Sequence, residues 1–225
     1  YRDFFHISKN LPADLAFLET AVKSGVSHVI VAGTCLEYGM QHGPLTEDME
    51  TYPTPPYGFA KDTLRKALQL LQKENPFVLQ WMRMFYMYGQ GQNSNSLLSQ
   101  FNQAVSERQP EFKMSMGDQL RDYLPINEVA EAFSIVIENP QCHGVINCCS
   151  GRPISVLDFV NQQRQIRSSS IELNRGFYPY PTYEPMAFWG VPTKLANLRV
   201  NIESVEINQA HTSTLQKYAH SSAVT

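Results

Sequence analysis

Two short apolar runs with a helical stretch between them restrict this chain more than anything else in it: His28-Val29-Ile30-Val31-Ala32, and Phe77-Val78-Leu79-Gln80-Trp81-Met82-Arg83-Met84-Phe85. A strand that faces water on one side alternates polar with apolar residues. A nearly continuous run belongs instead to a strand covered on both faces, as in a parallel sheet flanked by helices. The surroundings supply those helices. Leu11, Leu15, Leu18, Ala21 and Val22 recur with helical period from Leu11 to Ser24, and Gly25 ends the segment. Pro53, Pro55 and Pro56 break the chain before Tyr57, and a helix is expected from there to about Glu74, with Leu64, Leu68 and Leu71 on one side. The expected class is therefore α/β. Thr34 falls at the C-terminal end of the first strand, and in open α/β sheets the ligand crevice lies beyond those ends.

Further along, Gly89-Gln90-Gly91-Gln92-Asn93 is a turn cluster leading away from the sheet, and Asn93 to Pro125 is more polar, as part of a smaller lobe would be. Asn127 is the expected N-cap of a helix from Glu128 to Glu138, and Gly144 to Cys149 reads as another strand. Ser155-x-x-Asp158 is a capping pattern that starts one more helix. The Phe177 to Pro185 run, rich in Tyr and Pro, reads as an extended loop whose aromatics pack inward rather than as a peptide offered to a recognition domain. The tail past Leu198 carries no legible motif.

Composition removes several function classes. At 225 residues and 43% hydrophobic content, the chain can bury one good core or two small ones. A net charge of -3 implies no basic surface for nucleic acid or an anionic membrane, and no apolar stretch approaches the roughly 20 residues of a membrane span. A cytoplasmic compartment is expected. Cys35, Cys142, Cys148 and Cys149 lack paired C-x-x-C spacing; Cys148 and Cys149 are neighbours in a strand and should point to opposite faces, which suits reduced thiols in a core. The six histidines form no ligand spacing, so no metal site is expected.

Tyr57-Gly58-Phe59-Ala60-Lys61 carries the chemistry. Residues four apart lie on one helix face, so the Lys61 ammonium can favour the Tyr57 phenolate; a free tyrosine, with a pKa of about 10, needs such a neighbour to trade protons with an alcohol oxygen near neutrality. Thr34 would supply a second hydrogen bond. The spacing alone is common, and its context decides.

That context is five phrases in fixed order: Ala32-Gly33-Thr34-Cys35-Leu36-Glu37-Tyr38-Gly39, then Tyr57 to Lys61, then Arg83-Met84-Phe85-Tyr86-Met87-Tyr88-Gly89, then Gly117-Asp118-Gln119-Leu120-Arg121-Asp122-Tyr123, then Asn127-Glu128-Val129-Ala130. From roughly Asn10 to Leu195 the chain resembles the extended short-chain dehydrogenase/reductase family of nucleotide-sugar epimerases, dehydratases and ketoreductases. The resemblance implies the C-terminal part of a Rossmann-type parallel sheet plus a small α/β substrate lobe. Residues 1–92 and 127–150 would form the dinucleotide-binding part, and 93–126 with 151–225 the substrate lobe.

It further implies an enzyme using NAD or NADP on a nucleotide sugar. Tyr57 would be the general acid/base, Lys61 would bond the nicotinamide ribose and tune Tyr57, and Thr34 would hold the reacting oxygen. Ala32, Gly33 and Phe85 would line the cofactor, and Glu37, Tyr86, Asn95, Leu98 and Arg121 the substrate. Arg121 would pair with the diphosphate, its alternative being an ion pair with Asp122. Dehydratases of the family carry Asp-Glu after the catalytic Ser/Thr; Cys35-Leu36 here disfavours water elimination and points to reduction of a nucleotide-linked 4-keto-6-deoxyhexose in deoxysugar or O-antigen synthesis, or to 4-epimerisation. Tyr86 stands where many relatives have Asn. A homodimer through the helices Leu11 to Ser24 and Tyr57 to Glu74 is expected by the same resemblance.

One departure matters. The family's opening strand, glycine-rich turn and helix have no counterpart in this sequence, which reads as a fragment or shortened form. Weak dinucleotide binding, an exposed sheet edge and, at the limit, a non-catalytic remnant are the corresponding expectations.

Overall fold

The computed structural model describes residues 1–202. Three parallel strands, His28–Thr34, Val78–Met84 and Gly144–Cys148, form its central sheet in that spatial order. Their register aligns Thr34 with Met84 and Met84 with Cys148, so the C-terminal ends lie level. Helices α1 (Leu11–Lys23) and α2 (Pro56–Glu74) cover one face, while α4 (Ile126–Ile137) and a helical segment over 193–202 cover the other. Between them in the chain, α3 (Leu97–Ser106) precedes α4, and α5 (Val156–Ile166) follows it outside the sheet.

The double cover explains the unbroken apolar runs. Val29, Val31, Leu79 and Trp81 meet Leu64 and Leu68 of α2 and Leu15 and Leu18 of α1, whereas Ile30, Met82, Ile146 and Cys148 meet Val129, Ala132 and Val136 of α4. Burying a leucine such as Leu64 or Leu68 contributes about 1.5–3 kcal/mol, so this packing, not helix propensity, fixes α2. Gln80, the polar exception in the run, is fully buried and satisfied: its Oε1 meets His28 Nε2 at 2.7 Å, and its Nε2 donates to the carbonyls of Val136, Asn139 and Cys142. It locks the C-terminal end of α4 to the sheet.

A second core lies beyond the sheet's C-terminal edge, where Leu98 and Phe101 of α3 pack with Phe112, Val156, Phe159, Val160 and Ile171. Short paired strands frame it: Glu111–Lys113 with Glu172–Asn174, and Leu120–Arg121 with Ile154–Ser155. Tyr86–Tyr88 pairs with Tyr123–Pro125, carrying the chain from one core to the other. Asp122, fully buried, accepts N–H bonds from Ser150, Gly151 and Gly190 and gathers three loops at this junction.

Several expectations hold and two do not. Ser155 accepts the Asp158 N–H as an N-cap, and Cys148 and Cys149 fall in separate buried clusters. Helix α4, however, begins at Ile126 with Pro125 as N-cap, because the strand Tyr123–Pro125 runs directly into it; Asn127 is already helical. The Phe177 to Pro185 aromatics do not all pack inward. Phe177 and Tyr178 are half exposed and meet edge to face at 4.8 Å, with the Lys113 ammonium 4.5 Å above the Phe177 ring. The tail's last residues lie outside the described range.

Candidate active site

Thr34 ends its strand in an extended conformation, and its hydroxyl accepts the Leu36 N–H at 3.3 Å, which starts a single 3-10 turn over Cys35–Tyr38. Glu37 Oε1 accepts the Thr34 N–H in return at 2.9 Å, completing a capping box. This turn lies against the first turn of α2. A Cβ on Gly58 would lie 2.6 Å from the Leu36 carbonyl oxygen, so only glycine lets the two backbones approach this closely, and Tyr57 sits beside that contact.

Thr34 and Tyr57 thereby line the same cavity, of about 470 Å³, beyond the sheet's C-terminal edge. Gly33, Phe85, Tyr86, Asn95 and Leu98 line it too, as the sequence reading anticipates. Its size is that of a small-molecule site. Two polar groups in its wall, the Tyr86 hydroxyl and Gln92 Oε1, are buried without a well-formed hydrogen bond within the protein. Such groups favour a polar ligand.

Other expected site residues sit elsewhere. Ala32 is half-buried inside its strand, off the cavity wall. Glu37 is not a substrate contact: its carboxylate is fully buried and turned into the protein, bonded to Thr34, Trp81 and Arg83. Arg121 is also off the cavity wall. Its Nη2 donates to Glu184 at 3.0 Å, its Nη1 to the carbonyls of Leu120 and Met186, and its guanidinium lies over the rings of Phe188 and Tyr86. An arginine buried this deeply needs a paired anion, and Glu184 rather than Asp122 is the carboxylate that meets it.

The proton chemistry of Tyr57 differs from the simple expectation. Burial, reinforced by neighbouring Tyr1, Cys35 and Glu37, pushes its phenol up to about 12. Lys61 does lie one turn on, and both side chains border a smaller cavity with His6 and Asp14. The ammonium, though, is drawn to Asp14, 3.7 Å away. In this geometry burial favours the protonated phenol of Tyr57 still more than water does. The Cys35 thiol next to Thr34 is buried and pushed up strongly for the same reason, so it supplies neither acid nor base.

Sequence reasoning missed Glu184 and Tyr183, which border the cavity from the far side, and the stacked pair Tyr123 and Phe159 at its floor, with ring centroids 3.9 Å apart. The Tyr/Pro run held the first two in view, but nothing in its composition says which members face inward. Among the described residues no His/Cys/Asp/Glu cluster could hold a metal ion, and no helix is long and apolar enough to cross a membrane.

Comparison with known proteins adds three findings. The family profile described as NAD dependent epimerase/dehydratase family matches residues 3–149. The dTDP-6-deoxy-L-talose 4-dehydrogenase (NAD(+)) of Aggregatibacter actinomycetemcomitans is 30% identical over 84% of this chain and 70% of its own, and a putative UDP-arabinose 4-epimerase of Arabidopsis thaliana is 24% identical over 80% and 46%. Among solved structures, the UDP-N-acetylglucosamine 4-epimerase from Methanobrevibacter ruminantium M1 superposes with a TM-score of 0.77 at 20% identity, covering 84% of this chain and 62% of that one. The UDP-glucuronic acid 4-epimerase from Bacillus cereus, in complex with UDP-glucuronic acid and NAD, also gives 0.77, at 23% identity and 85% and 61% coverage. These likenesses establish the fold. The chain spans less than two thirds of either solved protein and under half of the plant relative.

Proposed function

We propose, from the premise that this chain belongs to the NAD dependent epimerase/dehydratase family, that its cavity is the catalytic end of a nicotinamide-dependent site that reduces the 4-keto group of a nucleotide-linked 6-deoxyhexose. The observation that carries this reading is the convergence of Thr34 and Tyr57 on one cavity, beside a turn whose Cys35 and Leu36 offer no carboxylate acid/base pair for water elimination.

The residues present fit part of the cofactor. The Gln92 Oε1, which has no partner within the protein, and the Tyr86 hydroxyl, which faces Glu184, suit with Gly33 and Phe85 the nicotinamide ribose and sugar end. Tyr57 and Lys61 would hold that ribose, with Asp14 releasing the ammonium, and Ala32 would support the strand beneath. A bound reduced nicotinamide would supply hydride to the sugar carbon. Tyr57 then gives the proton on its Oη to the sugar oxygen as negative charge grows there, and the Thr34 hydroxyl holds that oxygen in line. Asn95 and Leu98, in the segment leading into α3, would contact the nucleotide, and Tyr86 would meet the sugar. For Arg121 to bind a diphosphate, Glu184 would first have to leave it.

The test is direct. Full-length protein is mixed with NADH or NADPH and a panel of nucleotide-linked 4-keto-6-deoxysugars, and cofactor absorbance is followed. Oxidation of one cofactor is expected, and Tyr57→Phe should slow it by about 10²–10⁴-fold, the usual contribution of a positioned acid. Full activity in that variant, or no oxidation across the panel, refutes the reading. The named 4-epimerases among the relatives favour one alternative, interconversion of two sugars without net cofactor change, which product analysis in the same assay separates. We also propose pairing of two copies through α1 and α2, whose Phe17 and Leu70 stand exposed.

A further inference from the structure

Glu37 is a fully buried carboxylate that accepts hydrogen bonds at both of its oxygens. Its Oε1 takes the Thr34 N–H at 2.9 Å and the Trp81 indole N–H at 2.9 Å; its Oε2 takes Arg83 Nε at 2.8 Å and lies 3.7 Å from Arg65 Nε. Glu37, Trp81 and Arg83 are 1% exposed or less, and Arg65 is 8%. Asp62 accepts from Arg65 at 2.6 Å and also meets the exposed Lys66 ammonium at 2.7 Å, so both buried carboxylates are paired with cations. Every group aimed at Glu37 is a donor, an arrangement that only the anion satisfies in full.

The partners come from the elements that build the site. Thr34 ends the first strand, Trp81 and Arg83 lie on the second, and Arg65 lies on α2 about two turns after Tyr57. An apolar group in such a place is often as stable as a buried ion pair, so stability alone does not call for a carboxylate. What the carboxylate adds is direction: one anion is hydrogen-bonded to the Thr34 backbone and to the neighbouring strand, and it reaches the Tyr57 helix through the charge of Arg65, whose Nε makes no hydrogen bond. Gly33 fits the same scheme, since a Cβ there would fall 2.2 Å from the Trp81 indole nitrogen.

We infer that Glu37 is a positioning residue that holds Thr34 in register with Tyr57 for the proton-transfer step, acting through the Thr34 N–H, Trp81, Arg83 and Arg65 without touching substrate. This rests on the proposed reductase reading.

The experiment uses full-length Glu37→Gln, with kcat normalised to the fraction of protein that binds dinucleotide. The expected result is a fall in kcat of about 10–100-fold, the scale carried by a misplacement of about 1 Å, with substrate KM little changed. The deuterium isotope effect on hydride transfer should rise as chemistry becomes limiting, and the Thr34 amide should exchange faster with solvent while Ile146, remote in the sheet, keeps its protection. Should Glu37→Gln fail to fold, Trp81→Phe removes one donor without disturbing the charge balance, and a smaller drop in kcat with the same isotope signature is expected. Normal normalised kcat and isotope effect, with only a lower melting temperature, would overturn the inference. Failure of the reductase reading is separate: there the unmodified protein shows no cofactor oxidation, and unchanged Thr34 exchange in Glu37→Gln then decides against Glu37 on its own.

Discussion

Replacing Gly58 by alanine sets two calculable effects against each other. In a helix, alanine is favoured over glycine by up to about 1 kcal/mol, and on that ground the variant should be the more stable protein. The added Cβ, however, would sit 2.6 Å from the Leu36 carbonyl oxygen and 3.0 Å from its carbon, and ordinary contact begins at 3.4 Å. Either the first turn of α2 or the Cys35–Tyr38 turn must give by about 0.8 Å, and both atoms met belong to backbone. Overpacking of this kind costs about 1–3 kcal/mol, so the clash should match or outweigh the propensity gain and leave a net loss of up to about 2 kcal/mol. The functional effect should be larger. The displaced elements carry Tyr57 and Thr34, and a shift approaching 1 Å between reacting groups can cost about 10²-fold in rate. Urea unfolding gives the first quantity, and steady-state turnover of full-length protein gives the second. A variant that is more stable and turns over at the unmodified rate would show that the two turns are not in the close contact on which this account of the site depends.

Two further outcomes follow from buried groups away from the reacting atoms. Asp122→Asn retains the shape but leaves one acceptor oxygen for the N–H groups of Ser150, Gly151 and Gly190, and should destabilise by about 3 kcal/mol in urea titration, the scale of charge-assisted bonds lost in a core; a change below about 1 kcal/mol would refute it. Burial raises the phenols of Tyr38 and Tyr57 from 10.0 to about 12, so between those values the folded chain keeps protons that the unfolded chain has released. Stability is then whole below pH 10 and declines as pH climbs through that window, more gently in Tyr57→Phe; a level urea midpoint across it counts against both assignments.

The sheet, its helices and the strand-end position of Thr34 were legible because period and run length report local geometry, and local geometry survives folding here. Glu37 was misjudged although its signal was present. Thr34-x-x-Glu37 is a capping box in plain sequence, and Gln80 and Arg83 interrupt a strand covered on both faces, where each polar side chain must find a buried partner. Joining those two facts would have turned Glu37 inward. Arg121 is different, since its partner Glu184 is 63 positions away and no spacing rule brings them together. Tyr57 shows the deeper limit. Four-residue spacing does put Lys61 on the same helix face, but the phenol's acidity is a contest between that cation and the loss of water, and sequence spacing records only the first. Asp14, from another helix, draws the ammonium, and burial decides the outcome. A motif of this kind thus fixes which groups can meet, while the packing around it sets how firmly the phenol holds its proton.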